Sequence, residues 1–148
     1  MEIEGEHHFD AQRALVWELL LDPAAIEAAL PGVERFEETA PDSYSLTMRV
    51  GIASVRGTYE GRVEVTERSP LDSYRLQIDG SGKPGGAKAD AFLELVEDGG
   101  TTVRYRADVH ARGTIARLGG RLLGGVARLL VGQFFKSMER QVNERAVN

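Results

Sequence analysis

The sequence predicts an α+β fold: a curved antiparallel sheet of about seven strands, its apolar face covered by one long C-terminal helix. Three observations carry this. Stretches between Ile3 and Arg112 alternate apolar and polar residues with period two, as half-buried strands do. The last stretch, Thr114 to Asn148, lacks proline and repeats Leu118, Leu122, Val126, Leu129, Phe134, Met138 and Val142 near the helical period. The alternating strands imply one wet and one apolar face, and only the final helix is long enough to cover the apolar one.

Residues 2–9 place Ile3, Gly5, His7 and Phe9 on one side and Glu2, Glu4, Glu6 and His8 on the other. Asp10 is the expected N-cap of a short helix, Ala11–Leu21, whose inward stripe is Val16, Leu19 and Leu20 beside Trp17. Asp22-Pro23 starts a second short helix, Ala24–Leu30, with proline where no backbone donor is needed, and Pro31-Gly32 ends it. Strands are then expected at Val33–Thr39, Ser43–Ala53, Val55–Glu67, Ser73–Asp79, Ala87–Glu97 and Thr101–Arg112. Glu97-Asp98-Gly99-Gly100 reads as a hairpin turn. The glycine-rich run Asp79–Ala87 is expected to be a loop inside the domain, serving as a flexible rim or portal of a cavity. No repeat or linker divides the chain, so residues 1–148 are expected to form one domain.

Composition excludes several classes. There is no cysteine, hence no disulfide framework, thiolate nucleophile or thiolate metal site, which fits a cytoplasmic protein. The acidic start MEIEGEHHF is not a secretory leader. No apolar run approaches the length of a membrane span. The net charge of −5 argues against nucleic-acid binding. That charge is unevenly spread. Residues 112–148 hold seven basic and two acidic side chains, whereas the remainder holds eleven basic and twenty-one acidic ones. An acidic body carries a basic helix.

That helix is also rich in glycine. Gly119, Gly120, Gly124, Gly125 and Gly132 each weaken a helix by up to about 1 kcal/mol relative to alanine. Ala116, Gly120, Gly124 and Ala127 form a stripe almost without side chains. The sheet positions expected to face it are also small: Gly57, Gly61, Ala89, Ala91 and Ala107. Small residues on both surfaces mean either very close backbone packing or a space under residues 115–134 for an apolar guest. Val50, Ile52, Ile78, Leu93, Leu118, Leu122, Val126 and Phe134 would complete its walls, and His7, Tyr59 and Tyr105 could present polar atoms to a ligand carbonyl. Phe134 and Phe135 point about 100° apart on a helix, so both cannot face one core directly.

Catalytic signals are weak. His7 and His8 point to opposite faces of one strand and cannot chelate one metal side by side. His110 stands alone on a polar face, and Asp90, Glu94 and Asp108 read as solvated. There is no HExxH or GxSxG pattern, and Gly80-Ser81-Gly82-Lys83 lacks phosphate-loop spacing.

One family shares a run of these residues: Val16-Trp17 with Asp22-Pro23, Leu30-Pro31-Gly32-Val33-Glu34, Val50-Gly51-Ile52-Ala53-Ser54-Val55-Arg56-Gly57, Tyr74-Arg75-Leu76, Gly113 with Ala116-Arg117-Leu118-Gly119, and Gln133-Phe134-Phe135. On these the chain resembles the CoxG family, named for the G subunit of carbon monoxide dehydrogenase, within the START and birch-pollen-allergen-like superfamily. The resemblance implies a helix-grip fold with a hydrophobic cavity between sheet and helix. It also implies quinone handling for, and membrane recruitment of, a molybdenum-containing carbon monoxide dehydrogenase. Longer relatives carry a tail beyond the helix that could act as an anchor. Here nine residues follow Glu139, so reversible peripheral contact at the inner face of the membrane is the expectation. The expected function is non-catalytic binding or carriage of a hydrophobic molecule such as an isoprenoid quinone, with no covalent cofactor and no metal. Two other readings stay open: a small enzyme of polyketide-cyclase or dehydratase type, and an adaptor that binds protein only.

Overall fold

In the computed structural model, residues 1–147 are described. The elements run β1 (Glu2–Phe9), α1 (Arg13–Leu20), α2 (Pro23–Ala29), β2 (Val33–Ala40), β3 (Ser43–Val50), β4 (Gly57–Ser69), β5 (Ser73–Gly82), β6 (Gly85–Glu97), β7 (Thr101–Arg112) and α3 (Gly120–Val147). Single 3-10 turns precede β4, at Ala53–Val55, and α3, at Thr114–Leu118. All seven strands form one antiparallel sheet in the order β1-β7-β6-β5-β4-β3-β2, so the first strand pairs with the last. This is the expected α+β helix-grip architecture.

The alternation fixes which side chains share the covered face. Across the sheet the register aligns Val63, Ile78, Ala89 and Val109 in one row. The next row runs Val65, Leu76, Ala91, Ala107 and Ile3, and the next Tyr74, Leu93, Tyr105 and Gly5. Gly5 is required in its row. A Cβ there would lie 2.4 Å from the Tyr105 hydroxyl.

α3 is held at two places. Its C-terminal half buries Phe135, Met138 and Val142 against Phe9, Val16, Leu19, Leu20 and Val103 in the main core. Its N-terminal half places Leu123 and Val126 on a small satellite cluster of Val50, Val55 and Ile115. Polar contacts reinforce the first hold. Gln141 donates to the Ala25 carbonyl at 2.9 Å, and the His7 imidazole N–H donates to Glu139 at 2.6 Å.

Three expectations are corrected. The terminal helix does not start at Thr114. Gly119, at φ +86, separates a 3-10 turn from α3, a break that residues other than glycine rarely accommodate. Asn148, the expected end, lies outside the described residues. The glycine-rich run is not a loop: β5 and β6 continue through it to a two-residue turn at Lys83-Pro84. Its glycines serve close approach instead. A Cβ on Gly82 would lie 3.1 Å from the Tyr59 ring, and one on Gly86 would lie 2.8 Å from the Arg112 guanidinium. The hairpin tip then receives the Ile115 N–H on the Pro84 carbonyl at 2.9 Å. Finally, the N-cap position of α1 is Gln12, which makes no side-chain cap hydrogen bond, and not Asp10. The Asp10 carboxylate instead accepts from the His8 ring at 3.2 Å.

Candidate ligand-binding cavity

Between sheet, α3 and the two short helices lies a cavity of about 300 Å³. Its floor is the apolar face of β3 to β7: Tyr44, Leu46, Met48, Val63, Val65, Tyr74, Leu76, Ile78, Ala89, Ala91, Leu93, Tyr105, Ala107 and Val109. Ile3 and Phe36 close the two edges. α3 contributes Leu130, Val131, Phe134 and Phe135, while α1 and α2 contribute Leu20, Leu21, Ile26, Leu30 and Pro31. The space exists because the deepest part of the floor is alanine. Ala91 faces Ala107 across β6 and β7, with Ala89 one step along. Larger side chains there would reach the helix.

The polar residues among these walls are few: Tyr44, Tyr74, Tyr105 and Arg106. Tyr74 is buried with its ring edge-on to Trp17 at 5.6 Å. Burial pushes its phenol far above its usual pKa, against a small opposing pull from Arg68. The Tyr105 ring stacks on Phe135 at 5.2 Å. Burial raises its pKa too, and the Arg128 guanidinium opposes this. Both tyrosines are therefore neutral at physiological pH and available as hydroxyl donors. Among the described residues no group of three or more His, Asp or Glu is placed to hold a metal ion.

Of the residues singled out from sequence, Ile78, Ala89, Ala91, Leu93, Tyr105, Ala107 and Phe134 come together around this cavity. The other seven lie elsewhere. His7 stacks on Phe135 at 5.6 Å and is engaged by Glu139. Val50 is buried in the satellite cluster, with Ile52, Tyr59, Leu118 and Val126 packed against it. The Tyr59 hydroxyl donates to the Val55 carbonyl at 2.6 Å. Leu122 is 43% exposed. The cavity thus sits nearer the C-terminal half of α3 than the span 115–134, and sequence reasoning missed its α1–α2 wall. The available signal was the apolar content of two helices too short to cover a sheet alone.

The glycine stripe makes no close backbone contact with the sheet, although Gly124 is buried. A Cβ on Gly120 would meet the Met1 side chain at 3.9 Å, and one on Gly124 the Arg128 guanidinium at 3.2 Å. On Gly125 or Gly132 it would meet nothing within 4 Å outside the helix itself. Phe135 is buried and Phe134 half-buried, and both line the cavity.

A family model for the G subunit of carbon monoxide dehydrogenase (CoxG) matches residues 5–143. The chain belongs to the CoxG family. This CoxG-family chain is similar to a conserved protein from Geobacillus kaustophilus, at 31% identity and a TM-score of 0.93, over 97% of this chain and 96% of that one. It is also similar to a START superfamily protein from Mycobacterium smegmatis, at 13% identity and a TM-score of 0.77, over 97% of each chain. A protein from Rhizobium leguminosarum is comparable in fold, at 12% identity and a TM-score of 0.75, over 97% of this chain and 95% of that one. No curated protein matches the chain in sequence. CoxG membership and the START-like fold together indicate a ligand-binding protein of carrier type.

Proposed function

We propose that this CoxG-family protein is a non-catalytic carrier of an isoprenoid quinone or similar apolar molecule, serving a molybdenum-containing dehydrogenase of the carbon monoxide dehydrogenase type beside the membrane. The observation that carries the reading is the hydrocarbon-walled cavity of about 300 Å³. An empty apolar space forfeits dispersion contacts on all its walls, so a guest that fills it is stabilised. The tyrosine hydroxyls suit a carbonyl acceptor. They do not suit acid–base chemistry near neutrality, because burial moves both further from that range. This favours a carrier over a cyclase.

The membrane component rests on α3 and the turn before it. Arg117, Arg121, Arg128, Lys136 and Arg140 are all exposed, and no carboxylate among the described residues pairs with any of them. Leu122 and Leu129 are exposed along the same side, at 43% and 50%. Cations flanking apolar side chains on one helix face suit an anionic interface. No helix among the described residues is long and apolar enough to cross a membrane.

The protein carries its own reporter. Trp17 is the single tryptophan and touches Tyr74 in the cavity wall. Titration with a short-chain ubiquinone is expected to quench Trp17 emission saturably, and Ala91→Leu is expected to abolish that saturation by filling the space. Unsaturable quenching in the wild type, or equal saturation in both proteins, would overturn the reading.

A further inference from the structure

The carrier reading leaves open how a guest enters a space roofed by a helix. The roof is uneven. C-terminal to Gly132, α3 is locked into the main core by Phe135, Met138 and Val142, each at most 3% exposed. N-terminal to it, the half-buried Val131 touches the main core and Gly124 is the one buried position, while Leu123 and Val126 rest on a satellite cluster with three buried residues. This weaker half also holds the four glycines of α3. Packing does not require glycine at Gly125 or Gly132, because a methyl group there would point into open space. Each still gives up helix propensity, by up to about 1 kcal/mol relative to alanine. Beyond the N-terminal end, Gly119 and Gly113 adopt positive φ, at +86 and +77, so the chain changes direction twice before reaching β7.

We propose that Gly120–Gly132 is the door of the cavity. It opens by local unfolding between the fixed C-terminal half of α3 and the pivot at Gly119. Opening lifts Leu130 and Val131 off the cavity and Leu123 and Val126 off the satellite cluster. Its glycines set how fast a guest enters and leaves, while the sheet and the Phe134–Phe135 pair set how tightly it is held. Stretches with few buried contacts and low propensity open at free energies well below global unfolding. The inference rests on the carrier reading for its purpose and on the asymmetry of α3 for its mechanism.

The test is the double variant Gly125→Ala/Gly132→Ala, whose new methyl groups lie outside the cavity. Stopped-flow exchange of the apolar dye N-phenyl-1-naphthylamine is expected to slow on the order of tenfold in both directions, with Kd unchanged within about twofold. Amide hydrogen exchange of the ligand-free protein supplies an arm that needs no guest. Residues 120–132 are expected to exchange at least about tenfold faster than residues 134–142, and the double variant is expected to narrow that gap. Uniform protection along α3 overturns the door whether or not dye binds. Unchanged dye kinetics in the variant overturn it while leaving the carrier reading intact. Failure of the wild type to take up dye, with residues 120–132 still exchanging fast, overturns the carrier reading and the door's role in loading together.

Discussion

Ala91 and Ala107 face one another across neighbouring strands, and their methyl groups are the reason a cavity exists beneath α3. Leucine at either site enters existing space, so the usual overpacking loss of about 1–3 kcal/mol should be largely avoided. Ala107→Leu is therefore expected to lower Tm by no more than a few degrees while removing quinone-induced quenching; calorimetry and fluorescence titration on one preparation check this. Tyr74 supports a second expectation. Its folded pKa is raised by burial, so it contributes stability that is fully present below the unfolded value of about 10 and is lost as pH rises toward the folded one. Phenolate absorbance is expected to grow in two stages, the later one coinciding with loss of the Trp17 signal. A single smooth titration with the fold intact would contradict it. These alanines were legible in the sequence, because strand alternation assigns faces without knowledge of the partner strand. Tyr59 was not. It shares the alternation of its strand, yet its hydroxyl reaches the Val55 carbonyl at the far end of the sheet, and no local pattern distinguishes the two ends.

α3 shows how far periodicity goes within one element. The helix contains two adjacent leucine pairs, Leu122-Leu123 and Leu129-Leu130. Spacings of three and four residues accept either member of each pair as the inward one. Periodicity alone favours Leu122 and Leu129, but the structure buries more of Leu123 and Leu130 and leaves Leu122 and Leu129 exposed. The phase is set further along, where Phe135, Met138 and Val142 must meet Phe9 and Val16. That constraint is tertiary and cannot be read from the helix alone. Substitutions measure it directly. Met138→Ala is expected to destabilise by about 2–5 kcal/mol, because it empties a fully buried site. Leu129→Ala is expected to stay within about 0.5 kcal/mol, as an exposed change does. Urea unfolding of the two variants decides, and comparable losses would mean that the helix packs in the other phase.

At the scale of the whole molecule, the dominant property is the separation of charge. The acids of the sheet neutralise several of its own arginines, as in Arg75 with Glu67 and Arg112 with Asp79, but leave those of α3 unmatched along its exposed N-terminal half. Co-sedimentation with phosphatidylserine-containing vesicles is expected at low salt and is expected to weaken several-fold toward 0.5 M, where the Debye length falls below the ~8 Å of physiological solution. Arg121→Glu/Arg128→Glu is expected to abolish it. Equal sedimentation of that variant would remove the helix face as the attachment surface. The fold class and the basic helix were legible at this scale because both are sums over many residues. The wall supplied by α1 and α2 was not, because it depends on how two short helices dock.

The pairing of β1 with β7 has a consequence for how the protein is made. On the ribosome, β1 emerges before the other strands but has no partner until Thr101, which pairs with Phe9, and no complete one until Asp108, which pairs with Glu2. Through that interval the nascent chain displays a strand with an open edge, alongside a growing sheet whose apolar face has no roof. Long-range pairing of this kind slows folding and leaves such surfaces exposed to other chains. Glu2, Glu4 and Glu6 line the outer face of that waiting strand. Their mutual repulsion discourages two unfinished copies from zipping together through it. These glutamates, which have no place in the cavity, can thus be understood as protection during synthesis.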